Sequence, residues 1–345
     1  MINVGVIGCG YWGPNIVRNF RQIDNCNLKW CSDLSESRIK HMKGLYPSIK
    51  FTKDYNDILN DKEIGAVVIA TPVSTHFKIG MDALMKGKHI LIEKPITHSS
   101  EDAKKLIDAA AKNKKILMVD HTMEYSPAVK KIKEYIEKGE LGQVLTVDMI
   151  RVNLGVFQKD VNVIWDLIPH DISILVYLLG TMPEKAIAVG ESYIQKSIED
   201  DAHLTLKFKN KITAHIHVSW LDPCKIRKTT IVGRKKMLVF DDLEPTEKIR
   251  VYDKGVTIEK NGIPIQNYYD TFGEYQLLHR SGDIFIPKIE TTEPLNNMCR
   301  HFLDCIENGK TPVSDGQSGL RVVRVVEAAQ ESLRNNSREV EIRAD

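Results

Sequence analysis

Met1-Ile2-Asn3-Val4-Gly5-Val6-Ile7-Gly8-Cys9-Gly10-Tyr11-Trp12-Gly13 decides the fold. The apolar run Val4 to Ile7 reads as a buried strand. Gly8, Gly10 and Gly13 then stand in G-x-G-x-x-G spacing where a helix should begin. Gly8 permits the tight turn, Gly10 lets a pyrophosphate approach the backbone, and Gly13 lets the helix pack closely on the strand. The new helix offers free N–H groups and its positive end to phosphates. A glycine turn alone is common, but a second signal accompanies this one. The next apolar segment, Leu28 to Ser32, ends at Asp33, twenty residues beyond Gly13, where an acid meets the adenosine ribose. Its carboxylate accepts from the 2′-hydroxyl and repels a 2′-phosphate, which favours NAD over NADP. Tyr11 and Trp12, inside the turn, count with the cofactor-binding residues. Arg38 is placed to stack on adenine or, after a loop rearrangement, to meet a phosphate.

Outward from that turn the chain alternates strands and helices to about Asp120. Strand-like runs are Asn3–Gly8, Leu28–Asp33, Ala66–Thr71, His89–Glu93 and Ile116–Asp120. Helical segments between them include Pro14–Gln22, Glu36–Lys43, Thr75–Met85 and Ser100–Asn113. Continuous apolar strands separated by helices mean a parallel sheet covered on both faces, with ligands at the strands' carboxyl ends. The second half is richer in alternating strands: Val144–Val152, Ala186–Tyr193, His203–Phe208, Ile212–Trp220, Lys228–Val232 and Lys236–Phe240. Helices flank them at Ser126–Lys138, Asp166–Leu179, Pro294–Asn308 and Gly316–Asn335. The expectation is an α/β protein. A Rossmann doubly wound parallel sheet occupies residues 1–122, and an α+β substrate domain with a large, mostly antiparallel sheet occupies 123–345. The open face of that second sheet is the expected surface for a homodimer or homotetramer.

Composition restricts the partners. Of 345 residues, 27% are charged and the formal net charge is only +2, so there is no basic excess suited to nucleic acid. No stretch approaches the roughly 18 apolar residues of a membrane span. The chain opens on a core strand rather than a signal peptide, and its six cysteines form neither a C-x-x-C nor a compact framework. They read as reduced thiols of a cytoplasmic protein. His215 and His217 alternate on a strand and share a face, as metal ligands would. No third ligand is evident beside them, so a polar strand face is the reading and no metal is expected.

Three motifs fall where the sheet would present them to a ligand. Ala70-Thr71-Pro72-Val73-Ser74-Thr75-His76 closes one buried strand and Ile92-Glu93-Lys94-Pro95 closes the next. Lys94 leaves a strand at its carboxyl edge; a lysine buried there can have a lowered pKa and donate to a substrate oxygen. The third motif is Trp165-Asp166-Leu167-Ile168-Pro169-His170-Asp171. Asp166 and His170 are four apart and share a helix face. Proline belongs in a first helical turn, so this helix is expected to begin near Asp166, with both residues at its positive end. That end stabilises the aspartate and disfavours a protonated imidazole. A neutral imidazole oriented by a carboxylate is what a base for an alcohol requires. Tyr125, Arg151 and Asn153 are candidates for substrate contact and for packing alike, and Lys159 lies in the same approach to the helix.

The chain resembles the Gfo/Idh/MocA oxidoreductases nearly end to end. The resemblance runs through GVIGCGYWG, ATPVSTH, the EKP of Glu93 to Pro95, Tyr125-Ser126-Pro127-Ala128-Val129, Gly139-Glu140-Leu141-Gly142, the D-x-x-x-H of Asp166 and His170, and the closing GLRVVRVVEAAQESL. It implies hydride transfer between a sugar or polyol hydroxyl and a nicotinamide. It also implies that Lys94, Asp166 and His170 are catalytic, the proton acceptor being either Lys94 or His170, and that Thr71, Pro72, His76 and Glu93 line the cofactor. Many polyol-oxidising members carry a glycine cluster just before the aspartate, which Lys159 to Trp165 lacks. This variant looks like the branch associated with nucleotide-sugar and surface-polysaccharide pathways, which implies a UDP-linked N-acetylhexosamine oxidised at C3. Rival readings are an inositol or polyol dehydrogenase, a deoxysugar ketoreductase and a non-catalytic NAD-sensing regulator. Lys94, Asp166 and His170 together argue against the last.

Overall fold

A computed structural model describes residues 1–159, 161–256 and 279–343. The chain divides into two compact units. The first comprises Met1–Ser126, Ile172–Ile174 and Thr292–Glu327; the second comprises Pro127–Asp171, Leu175–Thr291 and Ala328–Asp345. The late segment Thr292–Glu327 returns to the first unit.

Six parallel strands form the centre of the first unit: β1 (Ile2–Ile7), β2 (Cys26–Ser32), β3 (Lys50–Thr52), β4 (Ala66–Ile69), β5 (His89–Ile92) and β6 (Leu117–Val119). Their order is β3-β2-β1-β4-β5-β6, the doubly wound arrangement whose chain reversal lies between β1 and β4. β4 is buried at every position and β1 at its last four, as strands covered on both faces must be. Helices α1 (Gly13–Arg21), α2 (Glu36–Leu45), α3 (Tyr55–Asn60), α4 (His76–Met85) and α5 (Ser100–Lys112) connect them. Only three residues long and one of them exposed, β3 carries too little apolar sequence to be read beforehand, and α3 is little longer.

One further helix completes this core. α1 packs its apolar face against a helix at Pro294–Asn308, where Phe20 meets Phe302 edge-on at 6.5 Å between ring centroids. Arg18 forks onto the Glu293 carboxylate at 2.9 and 2.6 Å just ahead of that helix. Leu295, Met298, Cys299 and Phe302 are buried in the same cluster as Ile16, Val17 and Phe20. Each such side chain contributes about 1.5–3 kcal/mol when fully buried.

The second unit is built on nine strands: β7 (Val144–Leu154), β8 (Lys185–Glu191), β9 (Asp201–Lys207), β10 (Thr213–Ser219), β11 (Leu221–Gly233), β12 (Met237–Asp241), β13 (Ile249–Val256), β14 (His279–Phe285) and β15 (Val340–Glu341). Their order is β14-β13-β12-β11-β7-β10-β9-β8-β15. Every pair is antiparallel except β7 with β10, which run parallel. One face is covered. Val147 and Met149 of β7, Ala214 and Ile216 of β10, and Leu204 and Leu206 of β9 are buried, while the residues between them face outward. Among the described residues the helices from here on are α6 (Pro127–Glu137), α7 (Val163–Leu179), α8 (the Pro294–Asn308 helix) and α9 (Gly316–Arg334). Among the described residues no helix is long and apolar enough to cross a membrane. All six cysteines are free thiols.

Candidate active site

The glycine turn has the shape its spacing demands. Gly8 has φ +101°, and a Cβ there would fall 2.4 Å from the Ala70 carbonyl oxygen. A Cβ at Gly13 would fall 2.3 Å from the carbonyl oxygen of Gly8, so helix and strand approach as only glycine permits. Around Gly10 the space is open: its nearest neighbour would be Arg38, at 3.7 Å. An open backbone at the middle glycine fits a pyrophosphate. α1 begins there with Trp12 as N-cap and no side chain capping its first N–H groups. Asp33, at the end of β2, is nearly buried. It accepts from the N–H of Cys9 at 2.7 Å and from that of Ser35 at 2.8 Å, with Arg38 Nη1 at 3.7 Å. The acid is thus fixed beside the turn by two backbone donors. Tyr11 is almost fully exposed, whereas Trp12 turns inward and donates its indole N–H to Asp120 at 3.1 Å.

The carboxyl edges of β4, β5 and β6 stand side by side. Glu93 N–H bonds to Ile69 O and Asp120 N–H to Ile92 O, continuing the ladder past the strand ends. Thr71 and Pro72 leave β4; Glu93 and Lys94 leave β5, with a cis peptide between Lys94 and Pro95. His76 is buried with Nδ1 2.9 Å from Pro95 O and Nε2 2.8 Å from Thr71 O. Burial pushes its pKa below the ordinary imidazole value while those two carbonyls pull it upward. Both ring nitrogens face backbone carbonyls, and the neutral ring, with a single N–H, donates to one of them at a time, so His76 lies as a clasp between the two loops. It shapes the edge through Thr71 and Pro95 rather than with a ring atom of its own.

Sequence reasoning missed the next two residues. Asp120 and His121 leave β6 at the same edge. Asp120 accepts from Trp12 and from Thr122, and Glu93 takes the Lys94 N–H on Oε2 at 3.1 Å. Burial, with the Asp120 carboxylate alongside, pushes Glu93 well above the usual carboxylate range. His121 is buried, and neither ring nitrogen meets a hydrogen-bond partner among the described residues; nor does Glu93 Oε1. Burial, with the Lys94 charge nearby, lowers the His121 pKa to about 3. Buried polar atoms without partners call for a water, an ion or a bound molecule to complete their bonding, or for a catalytic role. The signal in the sequence was an Asp-His pair closing an apolar strand.

In the second unit, α7 starts three residues earlier than Pro169 suggested. Asn162 is its N-cap: Oδ1 accepts from Trp165 N–H at 3.2 Å, and Nδ2 donates to Glu199 and Gln330. Pro169 consequently sits inside the helix, which forgoes the bond residue 169 would return to the Trp165 carbonyl. Asp166 is still in the first turn. His170 is a turn farther along, and the helix-end field falls off within the first turn. The expectation that both residues share the positive end therefore holds for Asp166 alone. Asp166 Oδ2 accepts from the buried Trp220 indole at 3.1 Å, and Phe157 packs edge-on against that indole at 5.7 Å. A packed donor thus sets the orientation of the carboxylate. Asp166 and His170 are both half-buried and share one face of α7.

The comparisons with known proteins agree with this geometry. Residues 2–121 match the family described as oxidoreductase family, NAD-binding Rossmann fold, and residues 129–239 match the GFO/IDH/MocA C-terminal domain. The chain belongs to the Gfo/Idh/MocA oxidoreductases. It is 25% identical to a myo-inositol 2-dehydrogenase of Thermotoga maritima, over 96% of either chain. It is 30% identical to a UDP-N-acetylglucosamine 3-dehydrogenase of Acidithiobacillus ferrooxidans, over 56% of this chain and 60% of that one. A solved levoglucosan dehydrogenase in complex with NADH shares its fold across the full length of both chains, with TM-score 0.84 at 19% identity. The first unit is an NAD-binding Rossmann domain, and the protein is an NAD(P)-dependent oxidoreductase of sugar or polyol hydroxyls.

In this Gfo/Idh/MocA chain, two candidates for substrate contact or packing are engaged inside the protein. Arg151 is buried, and its guanidinium forks onto Asp171: Nε at 2.8 Å from Oδ2 and Nη2 at 2.9 Å from Oδ1. It ties β7 to α7. Tyr125 is also buried, its hydroxyl 2.9 Å from Ser314 Oγ inside the core of the first unit. In both, the polar group that was to meet substrate is committed to another side chain. Asn153 is half-buried near the end of β7, and Lys159 is exposed in the loop that follows it.

Proposed function

We propose that the protein oxidises a hydroxyl of a nucleotide sugar, with C3 of a UDP-linked N-acetylhexosamine such as UDP-N-acetylglucosamine as the substrate. NAD, when bound, supplies the acceptor for the hydride. His170, oriented by Asp166, takes the hydroxyl proton as the carbonyl forms, and Lys94 donates to the same oxygen. The two proton roles can be exchanged without altering the balance: one C–H and one O–H bond break and one C=O bond forms. The observation that carries the substrate reading is the approach to α7. It lacks the glycine cluster of the polyol oxidisers and presents Lys159 to solvent. A diphosphate gains from charge-assisted bonds to such a cation, and a free polyol does not use them. The similarity to the UDP-N-acetylglucosamine enzyme supports it. The full-length similarity to myo-inositol 2-dehydrogenase favours inositol as the second reading. The open face of the nine-stranded sheet, where Ile150 and Val189 are exposed, is the surface we assign to self-association.

The deciding measurement is turnover of UDP-sugars and free polyols side by side, with product analysis, because a retained and recycled cofactor would hide free NADH. UDP alone should compete with substrate. Lys159→Ala should raise KM more than it lowers kcat. If UDP does not inhibit and polyols are turned over better, the nucleotide-sugar assignment fails and hydride transfer from a polyol stands.

A further inference from the structure

The open face of the nine-stranded sheet carries a cluster that hydride transfer does not use. Antiparallel pairing sets His203 of β9 opposite His217 of β10. Their rings stack with centroids 4.0 Å apart and planes 8° from parallel. Asp201 precedes His203 by two residues and so projects from the same face. Its carboxylate addresses both imidazoles at the same nitrogen: Oδ2 lies 3.1 Å from His217 Nε2 and Oδ1 lies 3.9 Å from His203 Nε2. One ligand atom from each of the three residues lies within 4.8 Å of the others. Along the same row, Val189 of β8 pairs with His203 and Ile150 of β7 pairs with His217, so apolar side chains flank the cluster.

We propose that Asp201, His203 and His217 bind a divalent transition-metal cation of the zinc type. Two imidazoles and one carboxylate are a borderline ligand set that suits zinc, nickel, copper or cobalt rather than magnesium or calcium. Bonds of about 2.0–2.2 Å require the ligand atoms to close in slightly. The side chains are free enough to do so, at 63% exposure for His203 and 29% for each of the others. Imidazole ligates only when neutral. Three protein ligands leave the remaining positions of the ion to water or a small anion. The sequence pointed to His215 beside His217, but His215 faces Thr205 at 3.1 Å. The real partner of His217 lies across the strand pair, where only the register could place it.

The test uses the full chain, stripped with chelator and dialysed. Calorimetric titration with Zn2+ should give one equivalent per chain, and Co2+ should add a visible ligand-field absorption. His203→Gln and His217→Gln should each weaken Zn2+ binding by more than about tenfold and abolish the Co2+ band. His215→Gln, on the same face, should leave both unchanged. Circular dichroism checks that each variant is folded. If the His203→Gln/His217→Gln double variant binds Zn2+ as tightly as the unmodified protein, or the unmodified protein binds none, the proposal is overturned. Asp201 is then simply the hydrogen-bond acceptor of His217.

Discussion

Arg151 donates twice to Asp171, the residue directly after His170, so a buried ion pair anchors the turn of helix that carries the proposed base. Removing one partner leaves the other charge buried and uncompensated. Arg151→Ala should therefore cost about 3–5 kcal/mol of unfolding free energy, read by urea denaturation. Arg151→Lys should recover only part of it, because an ammonium cannot fork onto a carboxylate. An Arg151→Ala protein of normal stability with a raised KM would return this arginine to the substrate. Asp33 invites a different measurement. With its oxygens held by Cys9 and Ser35 N–H groups, the carboxylate cannot swing aside for a 2′-phosphate. NAD should bind more tightly than NADP, and Asp33→Ala should shrink that ratio. Titration of both cofactors decides it, and tighter NADP binding by the unmodified protein refutes the assignment.

Helix α7 holds the main mechanistic wager. His170→Ala should lower kcat by about two to four orders of magnitude and leave cofactor binding nearly unchanged, whereas Asp166→Asn should lower kcat less. Near-normal kcat in the alanine variant would reduce the segment to a packed helix start. The beginning of this helix was misread because Pro169 was weighed above Asn162, which in fact caps it with one side-chain bond and braces it with two more. Where start and stop signals agree, the sequence reads well. α8 runs over the expected Pro294–Asn308, with Pro294 in its first turn and Gly309 in the left-handed conformation just past its end. β1, α1 and β2 were legible because apolar runs and glycine spacing point the same way. β3, β14 and β15 were not, since short or edge strands carry little periodicity of their own; β13 was not either, its apolar run being interrupted by Arg250, Asp253 and Lys254. Nor was the partnership of His203 with His217, because the pairing of two strands is a property of the sheet and not of either segment.

The first unit gathers three histidines whose pKa values lie below the ordinary one: His76, His89 at about 4 and His121 at about 3. An imidazole held neutral in the folded state takes up a proton on unfolding at any pH between its folded and ordinary values. Stability therefore rises with pH across that window and is lost as pH falls from about 6.5 toward 3. For His121 the slope approaches about 1.4 kcal/mol per pH unit. Between pH 6.5 and pH 4.5, His121→Asn should lose about 2 kcal/mol less than the unmodified protein in parallel urea titrations. Parallel profiles would mean that His121 is not held neutral. The same unit draws its last helices from Thr292–Glu327, after a long excursion of the chain into the other. Arg18, Asn19 and Phe20 on α1 find partners there, in Glu293 and Phe302. On a ribosome adding about 5–20 residues per second, the first 126 residues emerge with this face of α1 bare for on the order of ten seconds. The NAD-binding half is therefore begun first and closed late, and during synthesis the face of α1 that Phe302 covers stays open to water.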